Sequence, residues 1–217
     1  MKYRLVKNRD LNRIVNLHYA VKENHPIGIF SKLDRTFLKQ YYRILINDVN
    51  SLIVCAEDSK GEIQGFCSSS LDVEKQFSNL KKRKYHIALS AIPSVFKNPK
   101  IVFLLISRYK SLSKDEIGFV FNTGARLEYW VWAKDNADSV SSILMHEVLL
   151  NIILSLGVKK VGFEVDTYNK NVLKFHKLNG AEELKRIVLE DNRMRVLLQY
   201  SFESRVSKVK LYKHRKQ

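Results

Sequence analysis

Two predicted strands flank one long helix between residues 126 and 165, and this arrangement constrains the fold more than any other feature of the chain. Residues 126–132 (RLEYWVW) form an aromatic-rich run typical of a strand. Ser139 can cap the helix that follows, and apolar residues recur along that helix at helical spacing. Gly157 is placed to end the helix, and residues 158–165 are a further strand. This β-α-β unit indicates an α/β protein.

Along the whole chain the predicted elements follow the order β-α-α-β-β, insertion, β-α-β-α-β-β. The unit described above comes directly after the insertion. Asp10 is a good N-cap for the first of the two early helices, and Ser31 with Asp34 forms a capping-box-like start for the second. Residues 51–57 and 63–71 are typical of a hairpin. Further strands are predicted at residues 3–6, 186–189 and 194–202, and a short helix at residues 171–178. The predicted fold class is α/β, with one mixed, mainly antiparallel sheet and helices on both faces.

Residues 73–122 are predicted to form a helical insertion, with ten basic residues against three acidic ones. Pro93 and Pro99 should separate it into two or three short helices. Residues 1–203 then form one domain, and residues 204–217 form a basic tail. The insertion is open to four interpretations: a solvated helix face, a wall of an acceptor site, peripheral membrane docking, or nucleic-acid binding together with the tail. No recognisable nucleic-acid reader motif occurs, so a nucleic-acid partner is not expected.

The chain of 217 residues carries a net charge of +16, which favours an anionic partner such as a phosphate ligand. Its 45% of hydrophobic residues argue against a disordered protein. Cys55 and Cys67 are too few for a disulfide framework, and no four-ligand zinc spacing occurs, so free thiols and no metal are expected. The N-terminus lacks an apolar signal-peptide region, and prolines and lysines interrupt the apolar residues 87–106. A cytoplasmic protein is therefore expected.

Residues 165–181 (VDTYNKNVLKFHKLNGA) carry a pattern of five residues at fixed spacing: Val165, Asn169, Phe175, Lys177 and Gly180. This pattern, with the element order, resembles that of the GNAT acyltransferase superfamily, whose members move an acyl group from coenzyme A to an amine. The resemblance covers nearly the whole chain outside the insertion. Three positions depart from the family's usual alanine, tyrosine and phenylalanine, and they are Val172, His176 and Ala181.

The loop of residues 132–141 lies where the family binds the diphosphate of coenzyme A. In register it supplies Asn136, Ser139 and Ser141, but none of the family's glycines. A helix N-terminus presents unpaired backbone N–H groups and a positive dipole end, so it can hold a diphosphate. Asp135 and Asp138 oppose this, because their carboxylates repel phosphate. Two alternatives stay open: Asp138 or Ser139 is only a helix cap, or the cofactor site is degenerate.

The resemblance implies acetyl-coenzyme A or another acyl-coenzyme A as co-substrate. Its pantetheine arm would pair with the backbone at the end of the strand, and its diphosphate would bind the backbone of the loop. The implied cofactor-binding residues are Val131, Trp132, Ala133, Asn136, Ala137, Asp138, Ser139, Val140, Ser141 and Asn169.

The implied reaction is direct N-acyl transfer in a ternary complex, and it needs a route for two protons. Glu128 is the first candidate base for the acceptor's ammonium, with Glu164 and Asp166 as alternatives. A water chain could also remove this proton without a single base. His176, at the tyrosine position, is the candidate acid for the departing thiolate, and the alternative is a histidine packed in the core.

The basic insertion suits a small anionic acceptor, such as a nucleotide-linked amino sugar. The sequence FHKLNGA also resembles GNAT members of surface-polysaccharide pathways. The rival hypothesis is a binding module without activity, in which a degenerate GNAT-like fold uses its basic surface on nucleic acid or membrane. The oligomeric state stays open, a homodimer included.

Overall fold

Seven strands form one sheet in the computed structural model, which describes residues 1–22, 29–103, 105–106, 121, 123–133, 135–189 and 193–203. The strands are β1 (Lys2–Leu5), β2 (Ser51–Glu57), β3 (Ile63–Ser70), β4 (Ala125–Trp132), β5 (Lys160–Asp166), β6 (Glu182–Val188) and β7 (Met194–Ser201). They lie in the order β1-β2-β3-β4-β5-β7-β6, and only β4 and β5 are parallel neighbours. The predicted α/β class and the mixed, mainly antiparallel sheet are confirmed.

Helices cover both faces of this sheet. Among the described residues they are α1 (Leu11–Val21), α2 (Ile29–Lys32), α3 (Arg35–Ile46), α4 (Val73–Lys82), α5 (Lys84–Lys97), α6 (Ser139–Ser155) and α7 (Lys170–Leu178). On one face α6 buries Met145 and Leu149 against strand residues such as Phe163. On the other face α1 and α3 form a second core, which includes Tyr42 and Phe66. The long buried helix predicted from residue 139 is therefore the centre of the first core.

Aspartate side chains cap several helices, but Asp10 holds the N-cap position of α1 without a capping hydrogen bond. The predicted start of the second helix at Ser31 is corrected to Asp34, which accepts hydrogen bonds from the backbone N–H groups of Thr36 and Phe37 at the start of α3. Asp10, which was predicted to cap α1, makes no side-chain hydrogen bond to that helix. Its carboxylate binds the guanidinium of Arg4 instead, at 2.7 and 3.0 Å. It also accepts from the Lys7 N–H at 2.9 Å, so Arg4 and Lys7 hold this carboxylate in place of the first N–H groups of α1.

The insertion contains α4, α5 and the helical residues 101–103 and 105–106. The prediction that Pro93 separates two helices is wrong, because Pro93 lies inside α5. The ring removes one backbone donor, and the carbonyl that loses it belongs to Leu89, on the exposed side of the helix where water can replace the donor. Residues 107–120 of the insertion and the tail 204–217 lie outside the described residues. Across the described helices, none has the length and apolarity needed to cross a membrane.

Candidate active site

β4 and β5 run parallel but stay paired only at their beginnings. Ala125 pairs with Val161 and Arg126 with Gly162. Beyond these residues β4 continues along β3, while β5 pairs with β7 over its whole length. A fork therefore opens between β4 and β5 toward their carboxyl ends. The β4 backbone beside the fork can hydrogen-bond an extended ligand, as a sheet edge does.

A cavity of about 290 Å³ lies at the carboxyl end of β4. Its walls come from the end of that strand, the following loop and the first turns of α6 and α7. The lining residues are Trp130, Trp132, Asn136, Ala137, Ser139, Ser142, Ile143, Asn171, Val172 and Phe175. Four of the predicted cofactor-binding residues are thus brought together around one space, namely Trp132, Asn136, Ala137 and Ser139.

Six residues of this wall were not among the predicted cofactor-binding residues: Trp130, Ser142, Ile143, Asn171, Val172 and Phe175. Ser142 and Ile143 lie one helical turn after Ser139, so the spacing of a helix face could have indicated them. Asn171 comes from the first turn of α7, and its position beside α6 depends on the order of the strands. No local sequence signal carries that information.

Two tryptophan rings form the rigid part of the wall. The indole N–H of Trp130 donates to the Ser142 hydroxyl at 3.0 Å, and that of Trp132 donates to the Asn136 carbonyl at 3.0 Å. The ring of Trp132 lies against Gly65 of β3, where an added Cβ would come within 2.1 Å of it. Only glycine at position 65 leaves room for this ring. The end of β4 is therefore tied both to the loop and to α6.

A bulge in β4 brings Glu128 to the opposite side of the sheet from the tryptophans. Cys67 pairs with Trp130 while Ser69 pairs with Leu127, so β4 contains one extra residue between these pairs. Trp130 packs in the core of α6, whereas Tyr129 packs in the core of α1 and α3. Bulges re-aim side chains in this way, and this one lies beside the fork.

Glu128 is a buried carboxylate with one oxygen bound and one open. Its side chain is 4% exposed, and Oε1 accepts a hydrogen bond from Arg126 at 3.2 Å. Oε2 is buried without a hydrogen-bond partner among the described residues. Tyr41 and Tyr42 lie near it, and their pKa values are raised, first by burial and then by the charges of Tyr129 and Glu128. The carboxylate thus has a hydrogen-bonding position for a ligand proton.

Like Glu128, the two alternative base candidates on β5 are paired with arginines, and Glu164 also has one buried oxygen, Oε1, without a hydrogen-bond partner among the described residues. Arg195 donates to Glu164 at 2.8 Å and to Asp166 at 3.0 Å. Arg193 also pairs with Asp166, at 3.3 Å. Within the described residues, no group of three or more His, Cys, Asp or Glu side chains is placed to hold a metal ion.

The predicted diphosphate loop has its own internal hydrogen bonds. Asp138 caps α6 by accepting from the backbone N–H of Ser141 at 2.9 Å, and Ser139 N–H donates to the Ala137 carbonyl. Hydrogen bonds from Ser141 lower the pKa of Asp138 below its ordinary value. The cap is therefore present, and the Asp138 carboxylate stands where a phosphate would bind. Diphosphate binding by this loop stays a prediction that requires the exposed Asp138 side chain to turn away.

The remaining predicted cofactor residues have other surroundings. Val131 is buried in the core of α1 and α3, and the Ala133 N–H donates to the Gln64 carbonyl at 2.8 Å. Val140 is exposed on the first turn of α6. Asn169 is the N-cap residue of α7 and makes no side-chain capping hydrogen bond. None of these four lines the cavity, and their cofactor contacts stay predictions.

His176 lies in the core beneath the cavity wall. Its ring is buried, Nδ1 is 2.8 Å from the Tyr200 hydroxyl, and the ring packs against Phe163 with centroids 4.4 Å apart. Its neighbour Phe175 lines the cavity, whereas His176 does not. This is the packed arrangement named as the alternative to catalysis, and the acid role stays a prediction.

Comparisons with known proteins support the fold. No protein-family model and no curated protein sequence matches the chain. Solved structures do match. A spermidine N-acetyltransferase variant from Vibrio cholerae is 12% identical, with 96% of this chain and 99% of that chain covered and a TM-score of 0.60. A ribosomal-protein-alanine N-acetyltransferase from Brucella melitensis is also 12% identical, covers 93% and 99%, and has a TM-score of 0.60.

A third similar structure is an aminoglycoside 6'-acetyltransferase, with 11% identity, 93% and 97% coverage and a TM-score of 0.56. Each comparison covers nearly the full length of both chains, so the similarity extends over the whole fold. At such low identity it shows that the chain has the fold of GNAT acetyltransferases. The acceptors of the three differ, so they do not define one for this chain.

Proposed function

We propose that this protein is an N-acyltransferase, which transfers an acyl group from acyl-coenzyme A to the primary amine of a small acceptor. The observation that carries the proposal is the fork between β4 and β5, which opens beside a cavity at the start of α6. An extended pantetheine arm can pair with the β4 backbone there and place its thioester between the strands. The acetyltransferase structures with the same fold support this assignment.

The proposed reaction uses groups from both faces of the sheet. The neutral amine nitrogen attacks the thioester carbonyl carbon, the C–S bond breaks, the nitrogen of the adduct loses a second proton as the thiolate gains one, and the products are an amide and coenzyme A. Glu128, on the side of α1 and α3, would take the proton of the ammonium through its open Oε2. The thiolate proton is assigned to His176 as a proposal. Because Nδ1 faces Tyr200, that proton would have to come from Nε2.

For the acceptor, we keep the finer proposal of an anionic amine such as a nucleotide-linked amino sugar. Its support is the net charge of +16 and the basic insertion next to α3. The test is a panel of amines with acetyl-coenzyme A, in which amino-sugar nucleotides are compared with uncharged amino sugars and with diamines. A kcat/KM that is highest for a diamine would overturn the anionic assignment and leave the acyl transfer intact.

Coenzyme A should raise the melting temperature of the protein. At a concentration a hundredfold above Kd, we expect a rise of about 5–10 °C, because a ligand that binds only the folded state stabilises it. Differential scanning fluorimetry with acetyl-coenzyme A, desulfo-coenzyme A and ATP measures it. A rise with RNA or anionic vesicles and none with either coenzyme A compound would instead support the binding module without activity.

Removing the Asp138 carboxylate should tighten coenzyme A binding. Asp138→Ala frees the Ser141 N–H and takes away one negative charge, so we expect Kd to fall about fivefold. Asp34→Ala and Asp72→Ala are matched controls, because both residues cap helices in the same way. All three variants should lose a little thermal stability. If Asp138→Ala weakens binding or leaves it equal to the controls, the diphosphate does not bind this helix end.

A further inference from the structure

Helix α5 carries its large apolar side chains on the outside. Tyr85, Leu89, Ile92 and Phe96 follow one another at intervals of four, three and four residues, which places them in one stripe along the helix. All four are exposed, Tyr85 by 71% and Phe96 by 84%. We call this stripe the α5 outer face. A surface helix normally buries such a stripe, so its exposure needs an explanation.

The inner face of α5 shows that the helix is not simply rotated away from its core. It buries small residues, Ser90, Ala91 and Ser94, which let α5 approach α3 closely. The Ser94 hydroxyl accepts a hydrogen bond from the backbone N–H of Asp34 at 2.9 Å, at the start of α3. Ala91 packs with Leu33 and Phe37. The inner face is thus fixed by specific contacts, which hold the outer face toward solvent.

Basic residues lie at both ends of the α5 outer face. Lys82, Arg83 and Lys84 precede it, Lys97 and Lys100 follow it, and all five are exposed. No acidic residue occurs between positions 75 and 114. Two further apolar side chains, Phe103 and Ile106, are exposed on the helical residues that follow. The described part of this surface therefore combines an apolar strip with positive charge, on a stretch of sequence that contains no carboxylate between positions 75 and 114.

We propose that the α5 outer face docks this protein on an anionic membrane surface. A helix that lies in the bilayer interface has this composition, with aromatic and aliphatic side chains on one face and lysines or arginines at its borders. The apolar strip would enter the boundary between headgroups and acyl chains, while the five basic side chains contact acidic headgroups.

The positive charge of the α5 outer face favours an anionic membrane over the other possible binding partners. A second copy of the chain would bring two surfaces of the same sign together, which costs free energy. Nucleic acid would satisfy the charge but would leave the aliphatic Leu89 and Ile92 without partners. An anionic bilayer satisfies both parts of the surface. This docking is independent of coenzyme A binding, because neither the fork nor the cavity includes a residue of α5.

Flotation of the full chain with vesicles tests the proposal. One vesicle set is phosphatidylcholine alone, and the other contains about one third phosphatidylglycerol, both in about 150 mM salt. We expect the protein to float with the anionic vesicles and to remain behind with the neutral ones. Leu89→Ser combined with Phe96→Ser should lower the bound fraction at least about tenfold, because it removes two inserting side chains. The combined charge reversal Lys82→Glu and Lys84→Glu should have a similar effect.

The matched control is the pair Val49→Ser and Leu178→Ser, which removes two exposed apolar side chains away from α5. It should float like the unchanged protein. Equal flotation with neutral vesicles, no flotation, or unchanged flotation of the α5 variants would overturn the proposal. So would a dimer seen by light scattering that Leu89→Ser dissociates, because the face would then belong to a second copy. The shift in melting temperature with coenzyme A should be the same in all variants, which keeps this test separate from that of the activity.

Discussion

Replacing Glu128 with glutamine is expected to lower kcat/KM for acyl transfer about 100- to 10,000-fold, the range measured when a general base is lost. The amide keeps an oxygen that can accept the hydrogen bond from Arg126, so the bulge in β4 should be preserved. It cannot take the proton of an ammonium. The variant should therefore bind coenzyme A normally while its kcat/KM for acyl transfer falls. Initial rates, together with the coenzyme A melting shift, measure both properties.

Glu164→Gln and Asp166→Asn are the matched controls for this experiment. Both carboxylates lie on β5 and are held by Arg195, so they differ from Glu128 in their partners rather than in their chemistry. We expect each control to change kcat/KM less than about tenfold. A large loss of kcat/KM in Glu164→Gln, with Glu128→Gln still active, would identify Glu164 on β5 as the general base. If all three variants stay active, the proton leaves through water and no single base exists.

The sequence predicted the strand and the helix beside the fork because these elements have strong local signals. The strand 126–132, the capped helix from residue 139 and the glycine that ends it were found at Ala125–Trp132 and Ser139–Ser155. By contrast, β6 begins at Glu182, four residues before its predicted start. Residues 182–186 are all exposed, so they lack the alternation by which a strand is recognised.

The site was less predictable than the fold, and the reasons are specific. The bulge that turns Glu128 and Tyr129 toward the same core has no sequence signature, since either residue fits either face of a strand. The meeting of α7 with α6 at the cavity is a property of the sheet order, and it brings in Asn171. The capping role of Asp138 was visible as an alternative, because aspartate before a helix satisfies its first N–H groups. What sequence alone left undecided is whether a ligand can displace it.

Asp10→Asn is expected to lower the free energy of unfolding at pH 7 by about 3 kcal/mol, as breaking a buried ion pair does. The Asp10 carboxylate is buried, binds Arg4 through both oxygens, and also accepts from the Lys7 N–H at 2.9 Å. Arg4 holds Glu57 as well, so the network ties β1 and β2 to the turn before α1. Asparagine has nearly the same shape but no charge and only one acceptor oxygen, so the Arg4 guanidinium loses its ion pair with residue 10 and one hydrogen bond. Urea denaturation of both proteins gives the difference.

The same network predicts how this difference depends on pH. The hydrogen bond from Arg4 lowers the pKa of Asp10 in the folded state below its ordinary value of 3.8. A lowered pKa means that Asp10 binds a proton less readily in the folded state than in the unfolded state. Its contribution to the free energy of unfolding is therefore fully present above the unfolded-state pKa and is lost as the pH falls through the folded-state pKa. The stability of the two proteins should therefore converge below about pH 4. Glu62→Ala is the control, because Glu62 faces Arg13 at 4.0 Å on the exposed surface and should change stability by less than about 1 kcal/mol at any pH. An Asp10→Asn effect as small as this control, or one that does not shrink in acid, would mean that the Arg4 pair adds nothing to the free energy of folding.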